Sequence, residues 1–145
     1  MFDIDNVIKY CFIKTLSEEL PKDIHERTFV SRMAHYLANE VEKTYNSIKV
    51  DVEYNRIMND VKRVDDSNRY VDLIIHERNT NNNYVAIEFK KNDNIDDDMQ
   101  KLISLKRELN YRNIYCIAIN EKQIYKYDDL NKNWSILLLN SDKYE

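Results

Sequence analysis

Apolar residues recur along this chain in two rhythms. Near the start they return every three to four positions. Val7, Ile8, Cys11, Phe12, Leu16 and Leu20 predict a helix from Asp5 to Leu20, with Pro21 stopping it. Val30, Met33, Ala34, Leu37 and Val41 predict a second helix from about Asp23 to Tyr45. Asp23 can cap it, with Glu26 three residues on, as in a capping box. Met99, Leu102, Ile103, Leu105 and Leu109 predict a third, with the acidic stretch before it favourable at its N-terminal end.

Elsewhere the period shortens to two. Ile48, Val50, Val52 and Tyr54 alternate with Lys49, Asp51, Glu53 and Asn55, which predicts a half-buried strand over Ser47 to Arg56. Residues 57–68 are polar and charged and read as a loop or a short turn of helix. Tyr70 to His76 and Tyr84 to Lys91 predict two more strands, joined through the Asn-rich segment 79–83 as a hairpin. Asn113 to Asn120 is apolar on both faces, as a central strand should be. Gln123 to Tyr127 and Trp134 to Leu139 predict a final antiparallel pair turning near Asn131 to Asn133.

The hairpin carries the candidate chemistry. Residues two apart on a strand share a face. Val85, Ile87 and Phe89 therefore point one way, and Ala86, Glu88 and Lys90 the other. On the preceding strand Val71, Leu73 and Ile75 oppose Asp72, Ile74 and His76. A turn centred at Thr80 or Asn81 sets Asp72 roughly opposite Glu88, with Lys90 on the same face. Two adjacent carboxylates repel. A hard divalent cation, Mg²⁺ or Mn²⁺, offsets that cost. A lysine beside it can orient a nucleophile or stabilise charge developing on a phosphate. The bland alternative is a solvated strand face with an ordinary ion pair. Glu26 falls within the buried stripe of its helix, and two roles stay open for it: a cap on the helix dipole, or a carboxylate turned toward the metal site.

Composition narrows the rest. The 145 residues suit one domain, 1–145. The chain contains no glycine, which excludes glycine-rich phosphate loops, dinucleotide fingerprints and a hydrolase nucleophile elbow. Turns must rely on Asn, Asp and Ser. Cys11 and Cys116 sit in apolar patterns and read as buried thiols of a reducing, cytoplasmic compartment. No apolar run approaches membrane-spanning length. The net charge of −4 argues against coating nucleic acid by bulk electrostatics, yet allows a local patch. Lys62, Arg63, Arg69, Lys91 and Lys101 are candidates for one.

The succession helix, strand, strand, strand, helix, strand, with Asp72 on one strand and Glu88-Phe89-Lys90 on the next, resembles the PD-(D/E)xK nuclease superfamily. Glu26-Arg27, Glu53-Tyr54-Asn55-Arg56, Val71 to His76 and Ile87 to Lys91 look like a small bacterial or phage branch of it. The resemblance covers roughly Asp23 to Asn120. It implies a restriction-endonuclease-like α/β core: a mixed central sheet flanked by helices, with an extra N-terminal helix and C-terminal strands. It also implies Mg²⁺- or Mn²⁺-dependent hydrolysis of phosphodiester bonds, with DNA as the expected substrate. Asp72, Glu88, the Phe89 carbonyl and Glu26 would surround the metal, and Lys90 would be the catalytic lysine. Glu53, Arg56, His76, Gln100 and Lys101 are weaker candidates for supporting or phosphate contacts, and Arg56, Arg69, Lys91 and Lys101 for nucleic-acid binding. Val71 departs from the signature, which has proline there. A homodimer would suit cutting both strands. The alternative is a non-catalytic nucleic-acid-binding or complex-forming subunit on the same fold, for example in a defence or mobile-element complex.

Overall fold

A computed structural model of the chain describes residues 3–18, 25–52, 71–91 and 95–138. In chain order its elements are α1 (Ile4–Glu18), α2 (Glu26–Val41), β1 (Ile48–Val52), β2 (Leu73–Glu77), β3 (Asn83–Lys90), α3 (Asp96–Leu109), β4 (Asn113–Ala118), β5 (Gln123–Asp128) and β6 (Asn133–Leu138). The class is α/β, as the two rhythms predict, and the sheet is mixed. The strands lie side by side in chain order from β1 to β6, a lateral order the pattern did not foresee. The finer expectation of a restriction-endonuclease-like core does not follow from class alone. Every neighbouring pair is antiparallel except β3 and β4. Those two run parallel, and α3 supplies the crossover that parallel neighbours need.

The alternation of side chains divides the core in two. Leu73, Ile75, Val85, Ile87, Phe89, Tyr115 and Ile117 pack against α1 and α2. Phe12, Phe29 and Phe89 form a chain of rings from helix to sheet, with centroids 5.7 and 6.4 Å apart. On the other face Ile74, Ala86, Ile114 and Cys116 pack under Leu102 and Leu105 of α3. Burying these side chains on both faces is the main stabilising term, on the order of 2 kcal/mol for each large one. Cys11 and Cys116 are buried free thiols, and burial holds the Cys11 thiol up at about 12.

Several boundaries differ from the sequence expectation. α2 ends at Val41 rather than Tyr45, in a turn where the Thr44 and Tyr45 N–H groups donate to the Val41 carbonyl. Its N-cap position is His25, with no side-chain cap, so Glu26 is the first helical residue. Asp23 and Pro21 lie outside the described residues. β2 starts at Leu73, so Asp72 precedes the strand. Val71 consequently escapes the alternation and packs with Ile74 and Ala86, not with Leu73 and Ile75. Turns also differ. Positive φ is carried by Asn79 and Asn110, as expected without glycine, but also by Lys122 and Lys132. Asn110 closes α3 in a left-handed cap, the position glycine ordinarily takes.

Candidate functional site

The site begins with the β2–β3 turn. Glu77 N–H donates to the Asn82 carbonyl, so the turn spans residues 78–81, with Asn79 left-handed at φ 63°. That centre alone would put the strands one residue out of the register the carboxylates need. A bulge between Ile75 and His76 corrects it, since His76 pairs with Asn83 but Ile75 pairs with Val85. A bulge adds one residue to one side of a ladder. The last pair is Leu73 with Ile87, and one step beyond it Asp72 comes opposite Glu88. Asp72 Oδ2 accepts the Phe89 N–H at 2.9 Å. On an extended strand a residue's N–H and C=O point to the same side, so the Phe89 carbonyl faces the β2 edge of β3 as its N–H does.

Two helix starts meet this end of the sheet. Glu26 opens α2, and its carboxylate accepts the Lys91 backbone N–H. Asp98 lies in the first turn of α3, where Lys90 Nζ approaches its Oδ2 at 3.7 Å. One turn on, Lys101 Nζ reaches Glu88 Oε2 at 2.5 Å. The Glu88 side chain is only 4% exposed and that of Lys101 11%. A recess of about 190 Å³ opens beside Asp72, lined also by Glu26, Arg27, Val30, Ser31 and Val52. A larger groove of about 800 Å³ lies toward the other end of β3, among Val41, Tyr45, Ile48, Tyr84, Val85 and Arg112. It contains none of these carboxylates, so the smaller recess is the one relevant to their chemistry.

Three carboxyls here titrate above their ordinary range. Burial raises Glu88 most, and the neighbouring Asp72 carboxylate adds to it; Lys101 offsets only part. Burial and Asp72 also raise Glu26, against Lys90 and the Lys91 N–H. Burial raises Asp98, with Lys90 and Lys101 opposing it and Asp72 reinforcing it. Burial pushes the nearby Cys116 thiol up, helped by Asp98 and Glu88. In all three burial is the leading cause, and repulsion between neighbouring carboxylates adds to it.

The structure thus brings Asp72, Glu88, Glu26 and Lys90 to one end of the sheet. Lys101 is turned inward onto Glu88, away from the exposed role expected of a phosphate contact. Lys91 is half-buried beside Glu26, Gln100 is exposed, and Glu53, Arg56, Lys62, Arg63 and Arg69 fall outside the described residues. His76 is buried and meets Asp51, Nε2 to Oδ2 at 2.7 Å. The sequence reading missed Asp98. Its spacing to Lys101, Leu102 and Leu105 places all four on one helix face, but in the sequence it is one of several first-turn acids with nothing to single it out.

Hard oxygen donors at Asp72 and Glu88, with the Phe89 carbonyl turned to the same side, match what Mg²⁺ or Mn²⁺ prefers. Among the described residues no group of three or more His, Cys, Asp or Glu side chains is gathered closely enough to hold a metal. Asp72, Glu26 and Glu88 are drawn instead to the Phe89 N–H, the Lys91 N–H and the Lys101 ammonium. The donor chemistry fits a hard cation, and these contacts are what its arrival would rearrange. Among the described residues no helix is long and apolar enough to cross a membrane. Comparison with protein-family models, with curated proteins and with solved structures finds no match.

Proposed function

We propose that this chain is a metal-dependent nuclease of the PD-(D/E)xK kind, hydrolysing phosphodiester bonds, with DNA the first substrate to test. The observation that carries the reading is the placement of Asp72 opposite Glu88 at the end of a bulge-corrected hairpin, with Lys90 on the same strand and Glu26 alongside. Asp72 and Glu88 would hold Mg²⁺ or Mn²⁺, assisted by the Phe89 carbonyl and Glu26. When bound, such a cation lowers the pKa of water and polarises a phosphoryl oxygen. Lys90, 44% exposed and only loosely tied to Asp98, is free to turn toward an incoming phosphate and stabilise its developing charge.

A cleavage panel tests this: single- and double-stranded DNA and RNA, with Mg²⁺ or Mn²⁺, wild type against Lys90→Ala. Metal-dependent cleavage lost in the variant is the expected result. Equal cleavage by both would remove the assignment. One observation favours a second reading, a non-catalytic binding subunit: Glu88 already has a partner in Lys101. Calorimetry separates the two, since the subunit reading expects no Mn²⁺ binding at low salt.

A further inference from the structure

We infer that Lys101 is a built-in counter-ion for the Asp72–Glu88 pair, one that a divalent cation must displace, and that it thereby sets the metal concentration at which the site becomes active. The inference rests on the nuclease reading above. Glu88 is 4% exposed and Lys101 11%, with Nζ 2.5 Å from Oε2. A buried carboxylate facing a second carboxylate is costly unless charge is brought to it. Asp72 receives the Phe89 N–H, and Glu88 receives the ammonium. These two contacts offset part of that cost without metal.

The same contact opposes metal binding. A cation ligated by Glu88 would sit close to the ammonium, and in a poorly solvated place that repulsion is strong. Leu102 and Leu105 anchor α3 in the core, so the helix backbone cannot back away. The lysine side chain can, through its four flexible bonds. Asp98 lies one turn back on the same helix face and already feels the Lys101 charge, which gives the displaced ammonium a place to go. On the α3 side, the occupied and unoccupied site would then differ by the swing of one side chain.

Titration calorimetry of Mn²⁺ into the wild-type chain, Lys101→Met and Asp72→Asn tests this without reference to cleavage. Lys101→Met should bind Mn²⁺ at least roughly tenfold more tightly than wild type, because the competitor is gone. Asp72→Asn should lose binding. Half-maximal cleavage by Lys101→Met should shift to lower Mn²⁺ by a similar factor. If Lys101→Met binds Mn²⁺ no better than wild type while Asp72→Asn abolishes binding, the counter-ion role is wrong and the metal site stands. If neither wild type nor Lys101→Met binds Mn²⁺, the nuclease reading fails and takes this one with it. A measurement on the wild type covers the case in which the variant does not fold. Lys101 should acetylate slowly under a limiting amine reagent and several-fold faster at saturating Mn²⁺, read by mass spectrometry. An unchanged rate in a protein that binds Mn²⁺ would overturn the displacement.

Discussion

Two acidic residues lie near β2 and meet opposite fates. Asp51, on β1, is buried enough to be pushed upward, but hydrogen bonds from Arg78 and His76 more than reverse this and hold its carboxyl well below the usual range. Arg78 grips both oxygens, Nε to Oδ2 at 2.9 Å and a terminal nitrogen to Oδ1 at 2.5 Å, while His76 adds 2.7 Å to Oδ2. Glu88, on β3, is buried, faces another carboxylate and has one lysine, so its carboxyl is held up. Asp51 has its needs met inside the fold. Glu88 does not, and groups left in that condition cluster at functional sites. The contrast separates a structural acid from a candidate functional one without reference to motif.

The largest effects should fall on activity. Asp72→Asn and Glu88→Gln should each lower metal-dependent cleavage by roughly 10²-fold or more, the scale of losing one electrostatic contact to a transition state. Asp51→Asn should leave cleavage nearly intact. Full activity in Glu88→Gln together with loss in Asp51→Asn would reverse the comparison. Stability should rank the other way. Asp51→Asn removes the charge that satisfies Arg78 and buried His76, and should cost about 2 kcal/mol. Glu88→Gln removes a disfavoured charge and leaves Lys101 able to turn toward Asp98, so its cost should be smaller. Chemical denaturation of the two variants decides.

The strength of each signal explains what the sequence revealed. Alternation predicted both faces of β3 because the polar Glu88 and Lys90, two residues apart, set the phase of an otherwise apolar run from Val85 to Phe89. It misjudged Val71, because Val71 and Asp72 precede the β2 ladder and alternation alone does not fix a side chain there. The sequence sets Asp72 opposite Glu88 through a turn centred at Thr80 or Asn81, whereas the Glu77–Asn82 contact centres it between Asn79 and Thr80. The actual turn is centred earlier, and the bulge at Ile75 and His76 makes up the difference. Bulges leave no mark in composition when no glycine is present. Asp98 and the inward turn of Lys101 were out of reach for another reason. Both depend on how α3 docks across the sheet, a long-range fact that helix periodicity alone does not carry.

Acidity separates the two regions again. The folded value of Glu88 lies above its ordinary 4.5, so the fold binds this proton more tightly than the unfolded chain does. Stability from this group therefore increases as pH falls through the folded value, and is complete below 4.5. The folded value of Asp51 lies below its ordinary 3.8, so its contribution is complete above 3.8 and is lost as pH falls through the folded value. Thermal melts from pH 3 to 8 should show wild type gaining on Glu88→Gln as pH falls toward 4.5. Below 3.8 the wild type should lose its advantage over Asp51→Asn. A Glu88→Gln difference that stays flat with pH would mean that the carboxylate pair is not strained.

The smallest effect offers the finest test. Lys90 and Arg78 are similarly exposed, with side chains 44% and 47% accessible, and each meets one aspartate. Arg78 binds Asp51 through two nitrogens in a fork, the geometry that makes an arginine pair worth counting. Lys90 stands 3.7 Å from Asp98, at the long end of an ion pair. An exposed pair of that kind contributes little, because water screens it and the side chain gives up entropy to hold it. Lys90→Ala should therefore change stability by less than about 0.5 kcal/mol, and Arg78→Ala by about 1 to 2 kcal/mol. Equal losses would make Lys90 as structural as Arg78. A Lys90→Ala variant that melts like wild type yet no longer cleaves would place its value in the chemistry, because a contact that contributes nothing to the fold cannot explain a lost activity by unfolding.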